Sequence, residues 1–94
     1  MQNIKNLLLS WYITYNPYSD IFQIYDNNAF TTPKEKMLKN GEGKICVWID
    51  KQSSDPILLE IKNAYDVLGV DIDSLKKTDI IDIVEPYIRQ YGTI

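Results

Sequence analysis

The sequence predicts a small single α+β domain: an N-terminal helix, a two-stranded or otherwise small antiparallel sheet, and a C-terminal pair of helices. Three observations predict it. Residues 3–15 repeat apolar side chains at helical spacing. The segment KICVWID at 44–50 has the make-up of a strand. Residues 55–91 read as two apolar-striped helical patterns joined by a short acidic link.

In the first helix, Ile4, Leu7, Leu8, Trp11, Tyr12 and Tyr15 share one face, with Asn3 as the cap. Asn16-Pro17 ends it, because the residue before proline is pushed out of the helical region. Residues 20–25 then read as a short strand, followed by a turn at Asp26-Asn27-Asn28. Thr32-Pro33-Lys34-Glu35 has the form of a capping box and predicts a two-turn helix to Lys39. After a loop at 40–43, the strand at 44–50 turns Ile45, Val47 and Ile49 one way and Cys46 and Trp48 the other. Two apolar faces point to a covered, central position.

The C-terminal pair begins at Asp55-Pro56, a helix-start signal in which Pro56 occupies the first position, where its missing N–H costs nothing. Ile57, Leu58, Ile61, Ala64, Tyr65 and Leu68 form its stripe, and Gly69 supplies the left-handed stop. Val70-Asp71-Ile72-Asp73 alternates and reads as extended. Thr78 or Ser74 caps the second helix, with Ile80, Val84, Tyr87, Ile88 and Tyr91 on one face. Pro86 lies inside that pattern and removes a hydrogen bond to Asp82, predicting a kink near 82–86 or a break with Glu85 capping a short last helix. Within the single domain, residues 1–51 supply the first helix and the strands, and residues 55–91 the helical pair.

The opening of the second helix, Leu75-Lys76-Lys77-Thr78-Asp79-Ile80-Ile81, resembles that of helix-extended-helix modules of the SAP-like and Rho amino-terminal-like kind, over residues 57–88. The resemblance implies a nucleic-acid-binding module with Lys76 and Lys77 on phosphate. The charge departs from that pattern. Residues 52–94 carry four Lys/Arg against eight Asp/Glu, which does not favour phosphate.

At 94 residues, one core buries roughly 60–65% of the unfolded chain's surface. With 45% hydrophobic and 24% charged residues the chain is globular in composition, and its net charge of −3 opposes non-specific binding to nucleic acid or membrane. The apolar run at 7–14 is about half the length of a membrane span, and no small-residue cleavage site follows it, so neither a span nor a secretory signal is expected. Cys46 is the sole cysteine and histidine is absent. Most zinc sites and the Ser-His and Cys-His nucleophile systems are thereby excluded, and a reducing cytoplasmic setting is expected.

Individual motifs have plain explanations. Asp71-x-Asp73 with Asp79 and Asp82 has the outline of a calcium loop but lacks its glycine and final glutamate, so solvated link and first-turn carboxylates explain the aspartates. Asp73-Ser74-Leu75 resembles the phosphopantetheine-bearing tripeptide of acyl carrier proteins, which place it mid-bundle with further helices after it; here only 20 residues follow, and Ser74 reads as a cap. Cys46, between Ile45 and Val47, reads as a buried structural thiol. The lysines at 34, 36, 39, 44 and 51 make the only basic region and read as a solvated face.

Seven tyrosines and two tryptophans exceed what one small core hides. Such side chains are enriched in protein interfaces, since they bring large apolar area at low entropy cost. The sequence therefore predicts a small acidic protein without catalytic activity or cofactor that binds and modulates another protein. It would be an inhibitor, an immunity or anti-defence factor of a phage or mobile element, or an assembly subunit, and its partner would offer a basic groove. The expected contacts are Tyr15, Tyr18, Tyr87 and Tyr91 with Asp71, Asp73, Asp79 and Asp82. A nucleic-acid partner is the alternative, and self-association through exposed tyrosines stays open.

Overall fold

The computed structural model describes residues 4–38 and 44–92. The expected cap Asn3 and the 40–43 loop lie outside these residues. The elements are α1 (Ile4–Leu9), β1 (Tyr12–Asn16), β2 (Ile21–Tyr25), β3 (Lys34–Leu38), β4 (Ile45–Asp50), β5 (Pro56–Lys62), α2 (Ala64–Leu68), a 3₁₀ turn (Ile72–Ser74) and α3 (Lys77–Gly92). The strands form one sheet in the order β1-β2-β5-β4-β3, antiparallel at every pair. This corrects the expectation of a two-stranded sheet beneath a C-terminal helix pair.

The largest correction is at the centre of the sheet. Residues 57–68, read as the first helix of that pair, are instead strand β5 followed by the five-residue α2. Ile57, Leu58, Leu59 and Ile61 make this stretch nearly continuously apolar, and such a run satisfies a helical stripe as easily as an alternating one. Pro56 opens the strand, a position where its missing N–H is tolerated. The register against β4 slips there: Trp48 faces Leu58 while Ile49 faces Pro56, so Ile57 is an extra residue on β5. The Ile57 carbonyl accepts a hydrogen bond from Asp26 N–H at 2.9 Å instead.

Two other segments change from helix to strand. The helix expected over 3–15 ends at Leu9. Ser10 closes it, donating to the Leu7 carbonyl from its N–H (3.1 Å) and its hydroxyl (2.8 Å). Tyr12-Ile13-Thr14-Tyr15, branched and aromatic, then enters the sheet. The helix expected from the capping box at 32–35 is strand β3, paired with β4 from Lys34↔Asp50 to Leu38↔Cys46. The Thr32 hydroxyl donates to the Asn28 carbonyl at 2.8 Å rather than capping a helix. Residues 26–33 carry the chain across the end of β5 and β4, from one side of the sheet to the other.

Near the C-terminus the expected extended link contains the 3₁₀ turn at Ile72–Ser74. α3 runs to Gly92 with Pro86 inside it, so no break occurs at Glu85. Glu85 is buried and takes Arg89 on both carboxylate oxygens, at 2.9 Å each.

The main core cluster lies on one face of the sheet. Phe22, Ile24, Ile45, Val47, Leu59 and Ile61 point from the strands towards Leu8 and Trp11 of the N-terminal segment and Ile80, Ile81, Val84 and Ile88 of α3. Each such side chain contributes roughly 1.5–3 kcal/mol when fully buried. α1 is fastened to α3 by Lys5–Asp82 at 3.0 Å. Among the described residues, no helix is long and apolar enough to cross a membrane.

Candidate functional site

With the helices on one face, the other face of the sheet is left without a helical layer. Alternation along the strands and the register between them decide what it displays. Tyr12 on β1 faces Tyr25 on β2; Tyr25 faces Leu58 on β5; Leu58 faces Trp48 on β4; Trp48 faces Lys36 on β3. Four apolar side chains therefore stand in one row across four neighbouring strands. At normal strand spacing, Tyr12 and Trp48 are roughly 14 Å apart.

The crossing segment adds to this row. The Tyr12 and Tyr25 rings are 5.9 Å apart, and Phe30 meets Tyr25 edge-on at 4.8 Å. Lys34 Nζ lies 5.7 Å from the centre of the Phe30 ring and 5.9 Å from that of Trp48, so the cation closes the gap between the two aromatics. Tyr12 is 52% exposed and Phe30 58%, while Leu58 beneath them is buried. Cys46, on the same face, is fully buried.

A polar row lies next to the aromatic one. The Thr14 hydroxyl donates to Gln23 Oε1 at 3.3 Å, and Gln23 Nε2 donates to Glu60 Oε2 at 2.8 Å. Asp50 and Glu60 stand on the same face of their strands, and Asp26 follows Tyr25. Asp50 and Glu60 thus border the aromatic row with two half-buried carboxylates.

The residues selected from the sequence occupy other places. Tyr15, Asp71 and Asp73 come together at the corner where the β1–β2 turn meets α2. The Tyr15 hydroxyl donates to Asp20 Oδ1 at 2.6 Å. The Asp20 carboxylate also accepts the Tyr65 N–H, at 3.2 and 3.1 Å, and its carbonyl accepts the Ala64 N–H at 3.0 Å. The hydrogen bond to Asp20 pushes the Tyr15 pKa up to about 12, helped by reduced hydration and by the negative charges of Asp20, Asp73 and Asp71. A neutral Tyr15 at ordinary pH is a clamp, not a base.

The other selected residues are dispersed. Tyr18 is fully exposed at the β1–β2 turn. Asp71 accepts the Asp73 N–H at 3.2 Å in the 3₁₀ turn, and the Ser74 hydroxyl donates to the Asp71 carbonyl at 2.7 Å. Asp79 accepts the Lys76 N–H at 3.4 Å, Asp82 pairs with Lys5, and Tyr87 packs half-buried against the core. Tyr91 lies in the last turn of α3.

Sequence reasoning missed Tyr12, Tyr25, Phe30, Lys34 and Trp48 as one surface. Part of the signal was present: Trp48 and Cys46 point away from Ile45, Val47 and Ile49. The remainder depended on Tyr12 lying in a strand and on β5 standing between β2 and β4. Among the described residues, no group of three or more Cys, Asp and Glu side chains is placed to hold a metal ion. Compared with known protein families, characterised proteins and solved structures, the chain matches none.

Proposed function

We propose that this protein acts by binding another protein rather than by catalysis, and that the helix-free face of the sheet is its contact surface. One observation carries the reading: the cross-strand row of Tyr12, Tyr25, Leu58 and Trp48, with Phe30 and Lys34 set against it. Aromatic side chains packed against one another are already ordered, so docking a partner on them sacrifices little further entropy. The partner is an apolar protein surface edged with basic groups. That chemistry complements the net charge of −3 and the carboxylates of Asp50 and Glu60. An inhibitory or adaptor role in a reducing cytoplasm fits a chain whose single cysteine is buried.

The nucleic-acid alternative has less behind it. Lys77, one of the two lysines assigned to phosphate, donates to the carbonyl oxygens of Leu9 and Trp11 within the chain. Lys34 stands over two aromatic rings, whereas a strand-binding groove needs a continuous line of cations beside its stacking platform.

The test is to isolate the partner from source-cell lysate with and without nuclease, purify it, and measure the binary complex. Tyr12→Ala with Phe30→Ala removes two rings that are each more than half exposed, so the fold is retained. The double variant is expected to bind at least about tenfold more weakly, the loss of one interface anchor. Wild-type affinity in the double variant, or retention lost on nuclease treatment, would overturn the reading.

A further inference from the structure

We propose that the outer edge of β1 is a self-association site, where two copies pair antiparallel about a two-fold axis through Thr14. The two edge strands of the sheet, β1 and β3, differ in how they are guarded. Natural edges are blunted by charge, proline or bulges. β3 begins Lys34-Glu35-Lys36, and two-fold pairing centred on Lys36 would set like charges opposite each other. β1 reads Tyr12-Ile13-Thr14-Tyr15-Asn16, with no charge and no proline, and pairs with β2 over five residues without a shift.

The strand is complementary to itself. With Thr14 opposite Thr14 of the second copy, Ile13 falls opposite Tyr15 and Tyr12 opposite Asn16. Threonine pairs and branched–aromatic pairs are favourable cross-strand neighbours. A second, separate observation points to the same edge. Of the five exposed large hydrophobic residues among those described, three lie on β1 or within three residues of it: Leu9 (48%), Tyr12 (52%) and Tyr18 (100%). Leu9 precedes the strand and Tyr18 lies in the turn that follows it, so each end of the paired edge carries an exposed apolar side chain. The pairing joins two five-stranded sheets into one of ten and removes both unguarded edges.

Sedimentation equilibrium of the purified full chain tests this without any partner, so its outcome is independent of the protein-binding reading. The chain is expected to show a concentration-dependent monomer–dimer equilibrium. Thr14→Lys sets lysines opposite each other at the axis and weakens dimerisation by about tenfold. Thr14 is exposed, so the monomer still folds, as circular dichroism would register. Tyr18→Ser reduces dimerisation from outside the strand altogether. A chain that stays monomeric at every concentration overturns the proposal, whether or not some other extended segment binds the edge. A dimer as tight in both variants as in the wild type also overturns it.

Discussion

Lys77, the first residue of α3, donates from Nζ to the carbonyl oxygen of Trp11 at 2.7 Å and to that of Leu9 at the same distance. Those carbonyls belong to the end of α1 and the turn after it, where a helix leaves acceptors unsatisfied and carries partial negative charge. One ammonium thus holds the N-terminal segment against the helix that completes the core.

Replacing Lys77 by Met keeps the aliphatic stem and removes both bonds. The expected loss is about 1–2 kcal/mol of unfolding free energy, in the range for hydrogen bonds to a charged group at an exposed site. Lys76→Met next door should change stability by no more than about 0.5 kcal/mol, as for surface substitutions generally. Urea denaturation of the two variants checks the contrast, and equal losses would show that charge near α3, not the bonds, is responsible.

Tyr15 supplies a pH signature. Its folded pKa, about 12, lies above the ordinary tyrosine value of 10.0. The folded chain therefore holds this proton more tightly than the unfolded chain. The resulting stability is fully present below pH 10 and is lost as pH rises towards 12. In an alkaline titration followed by tyrosinate absorbance, Tyr15 should ionise near pH 12, and Tyr15→Phe should remove that late step. Asp20→Asn should move the step back towards 10, because it replaces the strongest cause of the shift.

Glu85 and Arg89 give an asymmetric pair. Glu85 is buried, whereas the Arg89 side chain is 57% exposed. Removing Glu85 charge as Glu85→Gln leaves an arginine that water can solvate. Removing the arginine as Arg89→Met leaves a carboxylate inside the fold without its fork of donors. Arg89→Met is expected to cost roughly 2–3 kcal/mol, less than a fully buried pair because one partner meets solvent, and Glu85→Gln about 1 kcal/mol or less. Thermal unfolding of the two single variants and the double variant gives the coupling directly.

Some elements were legible because local signals and tertiary environment agree. Strands β2 and β4 show it: IFQIY and ICVWID are branched and aromatic, and no competing helical stripe runs through them. The stripe of Ile80, Val84 and Ile88 marked α3, and the helix continues through Pro86, whose lost hydrogen bond is outweighed by packing on both sides of it. Where both periods fitted the same residues, at 12–15 and 57–61, the sequence pattern had no means of choosing.

By itself, then, the sequence determined an α+β chain with strands at 20–25 and 44–50, an apolar helix at its C-terminal end, and a surplus of tyrosine and tryptophan too large for one core. The tertiary structure alone decided that residues 56–62 form the central strand, because β2 and β4 satisfy its backbone from both sides and helices cover one of its faces. It also decided where the aromatic surplus goes. Tyr12, Tyr25 and Trp48 are far apart in sequence, and only the register of four paired strands sets them in a row, since cross-strand neighbours are fixed by hydrogen-bond pairing that no local pattern records.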